Sequence, residues 1–359
     1  MLVQFAFFTA YFVGSLIYFL ISITSGDPIA RIGYKNGILL GLSVSAIGAF
    51  LFYPAAEFVS YPFFLLALFV LGLGFTLLQI SANPYVAILG PESSAPSRLN
   101  LSQGFNSLGT TLAPITGGFL IFSYFQGAEG ADSVVIPYLV FAGTLIVMTI
   151  LFSLVSLPKV QAEVAIEKKP VALRSARLRL GMGAIFFYVG AEVAVGSILI
   201  SFLSLESIGG MGEEAGSIYV AIYWGGLMIG RFLGAISLRR SKAARTLMLF
   251  SFACMACLAV GILGSGAWAI WAVVGVGLFN SIMWSNIFTM AIDGLGSYKS
   301  QGSSLLVMMI IGGALLPPLQ GAVADFTGNI QLSMLVPLLA YTYLAFYGWV
   351  YPRLTSFSN

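Results

Sequence analysis

Glu192 is the only carboxylate placed near the middle of a long apolar run in this 359-residue chain. An acid at that depth in a membrane is a functional group by default. It can take and release a proton, ligate a sodium ion when ionised, or accept from a hydroxyl or amide of a solute. The structural alternative is a partnership with Arg231. Arg231 lies near the end of its own apolar run, where a long side chain can snorkel to the interface, so a fixed pair is not expected. Amides cluster elsewhere. Gln79 and Asn83 are four apart and share one helix face. Pro84 follows them and frees a backbone carbonyl, which protein tolerates and lipid does not. Asn100, Gln103 and Asn106 recur every third residue along a stripe. Asn280 and Trp284 are again four apart. Amides carry donors and acceptors together, which suits sugar hydroxyls, and an indole can stack on the apolar face of a pyranose. The plainer reading is interhelical glue for the amides and ordinary packing for Trp284.

The elements that must position these groups are written in the composition. The chain is 59 % hydrophobic and 8 % charged, against roughly 25 % charged in a soluble domain. Apolar runs bounded by turn signals predict eleven spans, at 1–23, 37–58, 62–90, 98–124, 134–157, 179–205, 215–238, 245–263, 267–292, 300–324 and 331–352. The sixteen Lys and Arg fall only in alternate connections and at the C-terminus. The intervening connections hold Glu57, Glu129, Asp132, Glu206, Glu213, Glu214 and Asp325. Positive loops stay cytoplasmic, so Arg353 places the C-terminus inside. The basic residues are topology signals and lipid anchors, and nucleic acid is not an expected partner. The absence of His removes the commonest metal ligand and general base. Cys254 and Cys257 lie inside an apolar run and read as packing residues. An enzyme has little here to work with, and no cofactor or metal is expected.

An internal repeat organises the spans. At an offset of 203, Gly72, Gly74, Asn83, Ser97, Gly109, Pro114 and Gly118 meet Gly275, Gly277, Asn286, Ser300, Gly312, Pro317 and Gly321. A pairing that includes both an Asn and a Pro points to duplication. Asn83, having Asn286 as its repeat partner, is then partly architectural. The same shift carries the span at 179–205 to a position before residue 1, and the charge alternation also places residue 1 outside. The expected architecture is therefore all-α and polytopic, with two pseudo-symmetric bundles and eleven of twelve spans present, the first being absent by truncation. The bundles are 1–157 and 179–352, joined by a cytoplasmic linker at 158–178 and followed by a tail at 353–359. Two six-span halves around a basic central loop is the major facilitator arrangement.

Longer motifs carry a resemblance. Gln79-Ile-Ser-Ala-Asn-Pro-Tyr85, followed by Ser97-Arg-Leu-Asn-Leu-Ser-Gln-Gly-Phe-Asn-Ser-Leu-Gly-Thr110, resembles the fucose:proton symporter family of the major facilitator superfamily. Leu51-Phe-Tyr-Pro-Ala-Ala56 and Phe186-Phe-Tyr-Val-Gly-Ala-Glu-Val-Ala194 fit the same family, in wording closest to its glucose/galactose branch. The resemblance covers essentially the whole chain. It implies a bacterial inner-membrane importer of a monosaccharide, coupled to H⁺ or Na⁺ by alternating access. Two departures stand out: fucose symporters carry Glu where this chain has Gln79, and the family's first-span Asp belongs to the absent span.

Candidate substrate groups are thus Gln79, Asn83, Gln103, Asn106, Asn280 and Trp284, with Glu192 as the ion-coupling acid. Arg31, Lys35, Arg98 and Arg231 read as gate or structural cations. Arg31-Ile-Gly-Tyr-Lys35 forms a short turn in which Gly33 permits tight geometry and the two cations cap helix ends. Arg98 sits at the cytoplasmic mouth. Gly226, Gly230 and Gly234 recur every four residues and allow close helix contact. The expected partners are a monosaccharide, the coupling ion and the bilayer, and the chain is expected to act as a monomer. Other readings are an uncoupled or multidrug-type transporter, whose site would be more apolar, and a non-transporting sugar sensor on the same fold.

Overall fold

The computed structural model describes residues 2–118, 135–158, 168–238 and 242–354. Among these, secondary structure is helical throughout. The order is α1 (Leu2–Thr24), α2 (Pro28–Phe50), α3 (Phe52–Glu57), α4 (Tyr61–Ile88), α5 (Ala95–Gly118), α6 (Val135–Leu154), α7 (Ala176–Leu203), α8 (Glu213–Ser237), α9 (Ala243–Leu263), α10 (Gly266–Asn280), α11 (Met283–Ile292), α12 (Lys299–Met308), α13 (Gly312–Thr327), α14 (Ile330–Ser333) and α15 (Leu335–Val350). Ten described stretches are long and apolar enough to cross a membrane. The predicted span at 98–124 corresponds to α5, 24 residues long but rich in Ser, Thr, Asn and Gln. Glu129, Asp132, Lys159, Glu163, Glu167, Arg239 and Arg240 lie outside the described residues, as do much of the linker and most of the tail.

Three predicted boundaries are corrected. The second span begins at Pro28, nine residues earlier than its hydropathy suggests. Asp27 caps it, accepting from the Ile29 and Ala30 amides, and Pro28 supplies a preset first turn. The chain then bends at Gly33, whose φ of 81° is open only to glycine without strain, and continues helically to Phe50. The span at 267–292 is two helices, α10 and α11, parted at Ser281 and Ile282. The span at 300–324 is likewise interrupted by a tighter turn over Met309–Ile311.

Contacts divide the chain into two compact units. The first comprises Met1–Leu89, Leu112–Ala172 and Leu295–Met308. In it α2 packs on α4 and α6, while α4 also meets α1 and α12. The second comprises Gly90–Thr111, Leu173–Gly294 and Met309–Asn359. Its central helix is α7, against α8, α11, α13 and α15; α10 packs on α8 and α9.

Two glycines that recur at the 203-residue offset each bring helices into contact, though with different neighbours. A Cβ on Gly74 of α4 would strike the Ser45 amide and the Gly41 carbonyl of α2. A Cβ on Gly277 of α10 would strike the Tyr223 carbonyl of α8. Both glycines bring backbone against backbone, the contact by which helices associate when lipid removes the hydrophobic drive between them. Gly275, the neighbour one glycine earlier, faces open space. Gly74→Val and Gly277→Val should each cost about 1–3 kcal/mol by overpacking, while Gly275→Ala should be neutral or stabilising. Thermal unfolding of the detergent-solubilised variants measures this, and equal behaviour of all three would contradict the close-contact assignment.

Candidate functional site

The second unit holds a buried ion pair with a cavity beside it. Glu192 projects from α7 and Arg231 from α8, with Arg231 Nη2 and Glu192 Oε1 3.7 Å apart. Only 9 % of Glu192 and 8 % of Arg231 is exposed. Arg231 therefore does not snorkel. The expectation of an unpaired, interface-seeking arginine is corrected: its guanidinium is held by α5, α7 and the turn after α10. Nη1 donates to the Gln103 carbonyl at 3.2 Å and to Ser107 Oγ, both on α5, and Nε donates to the Ser281 carbonyl at 3.4 Å. Glu192 Oε1 also accepts from the Tyr188 hydroxyl at 2.8 Å. Tyr188 lies four residues earlier on the same helix, one turn away.

The break between α10 and α11 is part of this arrangement. The Ser281 amide tightens to a bond with the Leu278 carbonyl, Ile282 opens α11 by accepting from the Asn286 amide, and the Ser281 carbonyl between them turns to Arg231. Gly230 permits the approach, since a Cβ there would meet Ser281 Oγ and the Leu278 carbonyl. Gly234 does the same for α5, its face lying against Asn100 Nδ2. The four-residue glycine spacing thus places α8 close to both neighbours.

The cavity has a volume of about 170 Å³ and is lined by Asn106, Ser107, Thr110, Thr111, Glu192, Trp224, Leu227 and Arg231. It is smaller than the roughly 300–1,000 Å³ of drug-sized pockets. Its wall combines one amide, three hydroxyls, an ion pair and an indole. Such a lining offers donors and acceptors in quantity with one flat apolar ring, a match for a small polyhydroxylated solute.

A sequence pattern of the Major Facilitator Superfamily matches residues 2–317. This chain belongs to the Major Facilitator Superfamily. Within the superfamily, a glucose/galactose transporter of Brucella abortus biovar 1 (strain 9-941) is 45 % identical over 356 residues, covering 98 % of this chain and 84 % of that one. The L-fucose-proton symporter of Escherichia coli (strain K12) is 34 % identical over 366 residues, covering 95 % and 82 % respectively. The crystal structure of the transporter FucP in the outward conformation matches with a TM-score of 0.86 at 31 % identity, over 98 % of this chain and 89 % of that one. The chain is thus a polytopic membrane protein of a transporter superfamily, with the two-bundle fold of its relatives.

The sequence-predicted residues distribute unevenly in this superfamily member. Asn106 and Glu192 line the cavity. Gln103 is buried behind them, its side-chain oxygen accepting from Asn106 Nδ2 at 3.4 Å. Asn280 and Trp284 do not share one continuous helix face, because α10 ends at Asn280 and α11 begins at Met283. Asn280 is fully buried, donating to the Tyr223 hydroxyl at 3.1 Å and accepting from the Tyr341 hydroxyl at 2.7 Å. Trp284 is 6 % exposed, with Tyr188 and Phe288 beside its ring, so the indole presents little open surface to a sugar in this conformation. In the first unit, Asn83 Nδ2 donates to Gln79 Oε1, so each amide satisfies part of the other.

The cations at the helix ends do local work. Lys35 donates to the Ser153 and Val155 carbonyls at 2.8 and 2.7 Å, capping the end of α6. Arg31 donates to the Ser25 carbonyl just past α1. Arg98 donates to Pro91 and Gly90 carbonyls at 3.0 and 3.3 Å and to Ser94 Oγ at 2.6 Å, bracing the turn before α5.

Several site residues carried no sequence signal. Ser107, Thr110 and Thr111 are hydroxyls in a stretch read only for its amides. Tyr188 and Tyr223 look like aromatic packing until their hydroxyls meet Glu192. In the first unit, Asp27 is 4 % exposed and accepts from Tyr18 at 2.5 Å and from Ser300 Oγ. Gln301 beside it donates to Ser22 Oγ at 3.1 Å and accepts from the Ala172 amide at 2.9 Å.

Removing one member of a buried ion pair strands the other. Arg231→Met should cost on the order of 3–5 kcal/mol, and adding Glu192→Leu should recover much of that loss. Unfolding of purified single and double variants tests this; a double variant no more stable than the single would show that the pair does not act as a unit.

Proposed function

We propose that this chain imports a monosaccharide together with a proton, by alternating access, as a multi-pass protein of a bacterial inner membrane with its C-terminus cytoplasmic. The observation that carries the reading is the cavity of the second unit, where Glu192 and Arg231 border one amide and three hydroxyls. The glucose/galactose name of the Brucella relative and the L-fucose-proton name of the Escherichia relative support the same class of solute and ion. Glu192 is the proton-exchanging carboxylate. Asn106 and the neighbouring hydroxyls meet sugar hydroxyls, and Gln103 orients Asn106. Asn280, with Tyr223 and Tyr341, frames the site. Gln79 and Asn83 are the candidate substrate amides within the first unit.

Charge favours a proton over sodium at Glu192. The Arg231 guanidinium stands 3.7 Å from Glu192 Oε1. A metal cation bound to the same carboxylate would lie about one ionic contact from a fixed positive charge. Two unit charges about 4 Å apart repel by about 4 kcal/mol at an effective dielectric of ~20. A proton removes the carboxylate's charge instead of adding a second cation beside the first. The mixed polar lining also fits a sugar better than the apolar solutes of a multidrug exporter.

Membrane vesicles containing the protein, given an inward proton gradient, should accumulate glucose or galactose above equilibrium. Glu192→Gln should abolish that accumulation while sparing sugar exchange at equal concentrations on both sides. Asn106→Ala should weaken sugar binding about tenfold, the worth of roughly one good hydrogen bond. Undiminished accumulation by Glu192→Gln, or a gradient of Na⁺ driving uptake where a proton gradient does not, would refute the coupling assignment.

A further inference from the structure

The hydrogen bonds of Arg231 run to a helix that Glu192 does not itself bond. α5 and α8 pair in antiparallel sense: Ser97 Oγ donates to the Ala235 carbonyl, Asn100 Nδ2 to the Arg231 carbonyl at 2.6 Å, and Thr111 Oγ1 approaches Met228 Sδ at 3.8 Å. Numbers rise on one helix as they fall on the other. In the middle of this seam sits the Arg231 guanidinium, bonded to the Gln103 carbonyl and Ser107 Oγ. Gln103 in turn accepts from Asn106, which lines the cavity. One guanidinium therefore touches both the acid and the helix that carries the cavity's amide.

We infer that Arg231 is the positioning residue that transmits the charge state of Glu192 to the sugar-facing side of α5; this deepens, and rests on, the reading of Glu192 as the proton site. With Glu192 ionised, the guanidinium is divided between the carboxylate and α5. A proton on Glu192 removes the first attraction. Arg231 is then held by α5 and the Ser281 carbonyl without the opposing pull of the carboxylate, which shifts the turn holding Asn106. Sugar affinity and proton affinity become linked through this one side chain, and the linkage is reciprocal.

The groups that face Glu192 are few enough to leave Arg231 in this role. From its own helix comes Tyr188, and from α8 Arg231 and Tyr223, whose hydroxyl donates to the Glu192 carbonyl at 3.0 Å. From α15 comes Tyr341 and from α9 Cys254, both one step further away through Asn280. Among these only Arg231 carries a permanent charge and bonds α5.

The experiment is calorimetric binding of D-glucose and D-galactose to the purified full chain across acid to alkaline pH, with protons taken up on binding measured in weakly buffered solution. The wild type should bind sugar with proton uptake and change affinity on the order of tenfold across the titration, within the usual 5–150-fold span of coupled sites. Arg231→Gln should bind with little proton uptake and a flat pH profile. Arg231→Lys should behave like it, because a lysine ammonium cannot span Ser107, the Gln103 carbonyl and Glu192 together. A purely structural arginine would instead give weaker binding at every pH with the proton uptake intact, and that result overturns the inference. Should the Arg231 variants fail to fold, Ser107→Ala decides: it keeps the ion pair, and a reduced linkage supports transmission through α5 while an unchanged one refutes it. Glu192→Gln separates the two levels of the argument. Proton uptake surviving in Glu192→Gln removes the proton site itself; its loss there alongside retention in Arg231→Gln removes only the relay.

Discussion

The rest of the second unit is arranged around one constraint: a guanidinium and a carboxylate removed from water must be satisfied by protein. A charged side chain at the centre of a spanning helix costs roughly 2.5–3.5 kcal/mol even on forgiving insertion scales. The pair alone does not offset this, since Coulomb attraction repays desolvation only when the remaining donors and acceptors also find partners. Arg231 finds its partners on α5, on α7 and at the broken turn after α10. Each partner imposes a local requirement. The approach of α8 to that turn requires Gly230, and the approach of α5 requires Gly234. The break at Ser281 and Ile282 exposes a carbonyl that a regular helix would have used. The glycine spacing, the helix break and the polar face of α5 thus follow from a single pair of charges.

The same network reaches outward through tyrosines. Tyr223 joins the Glu192 backbone to Asn280, and Tyr341 completes the amide. Tyr188 fixes the carboxylate. A phenol is mostly hydrocarbon with one polar tip, so it packs as well as phenylalanine and still satisfies a buried acceptor. In a membrane interior, where an unpartnered polar atom has no water to turn to, this makes tyrosine an economical bridge between helices. The network is connected from α5 to α15, which gives a change of charge at Glu192 a physical route away from the carboxylate.

What could be read in the sequence followed from whether a signal was local. Most spans follow from hydropathy, and the duplication follows from an Asn, a Pro and several glycines recurring at one offset; which helix each glycine meets is not local, since Gly74 packs on α2 whereas Gly277 packs on α8. Glu192 stood out because acids are rare in apolar runs. Its pairing with Arg231 did not. Position along a helix suggested snorkelling, whereas the outcome is set by α5, which is more than a hundred residues away in sequence from Arg231 and supplies the missing acceptors. The break after Asn280 has no proline or glycine to announce it, so the four-residue spacing points Trp284 to a face that it does not share with Asn280. The early start of α2 was hidden for the opposite reason: polar Asp27 and Arg31 lower the hydropathy of a turn that is helical because Asp27 caps it.

The first unit shows what an acid gains from standing beside a cation. The resemblance implies a glutamate in fucose symporters at the position of Gln79, and α4 of this chain contains no acidic residue. Gln79 and Asn83 form a neutral pair that supplies its own donor and acceptor. It needs no counter-charge, and protonation cannot alter it. At Glu192, by contrast, a permanent cation already stands beside the carboxylate to respond to its charge. A carboxylate without such a neighbour would register a proton only through its own hydrogen bonds. Beside Arg231 each protonation also changes what a second, longer side chain is attracted to, and that side chain is anchored on the helix bearing Asn106. An acid facing a guanidinium therefore has a longer reach than one facing neutral amides: the local loss of one charge becomes a force on a side chain bonded to another helix.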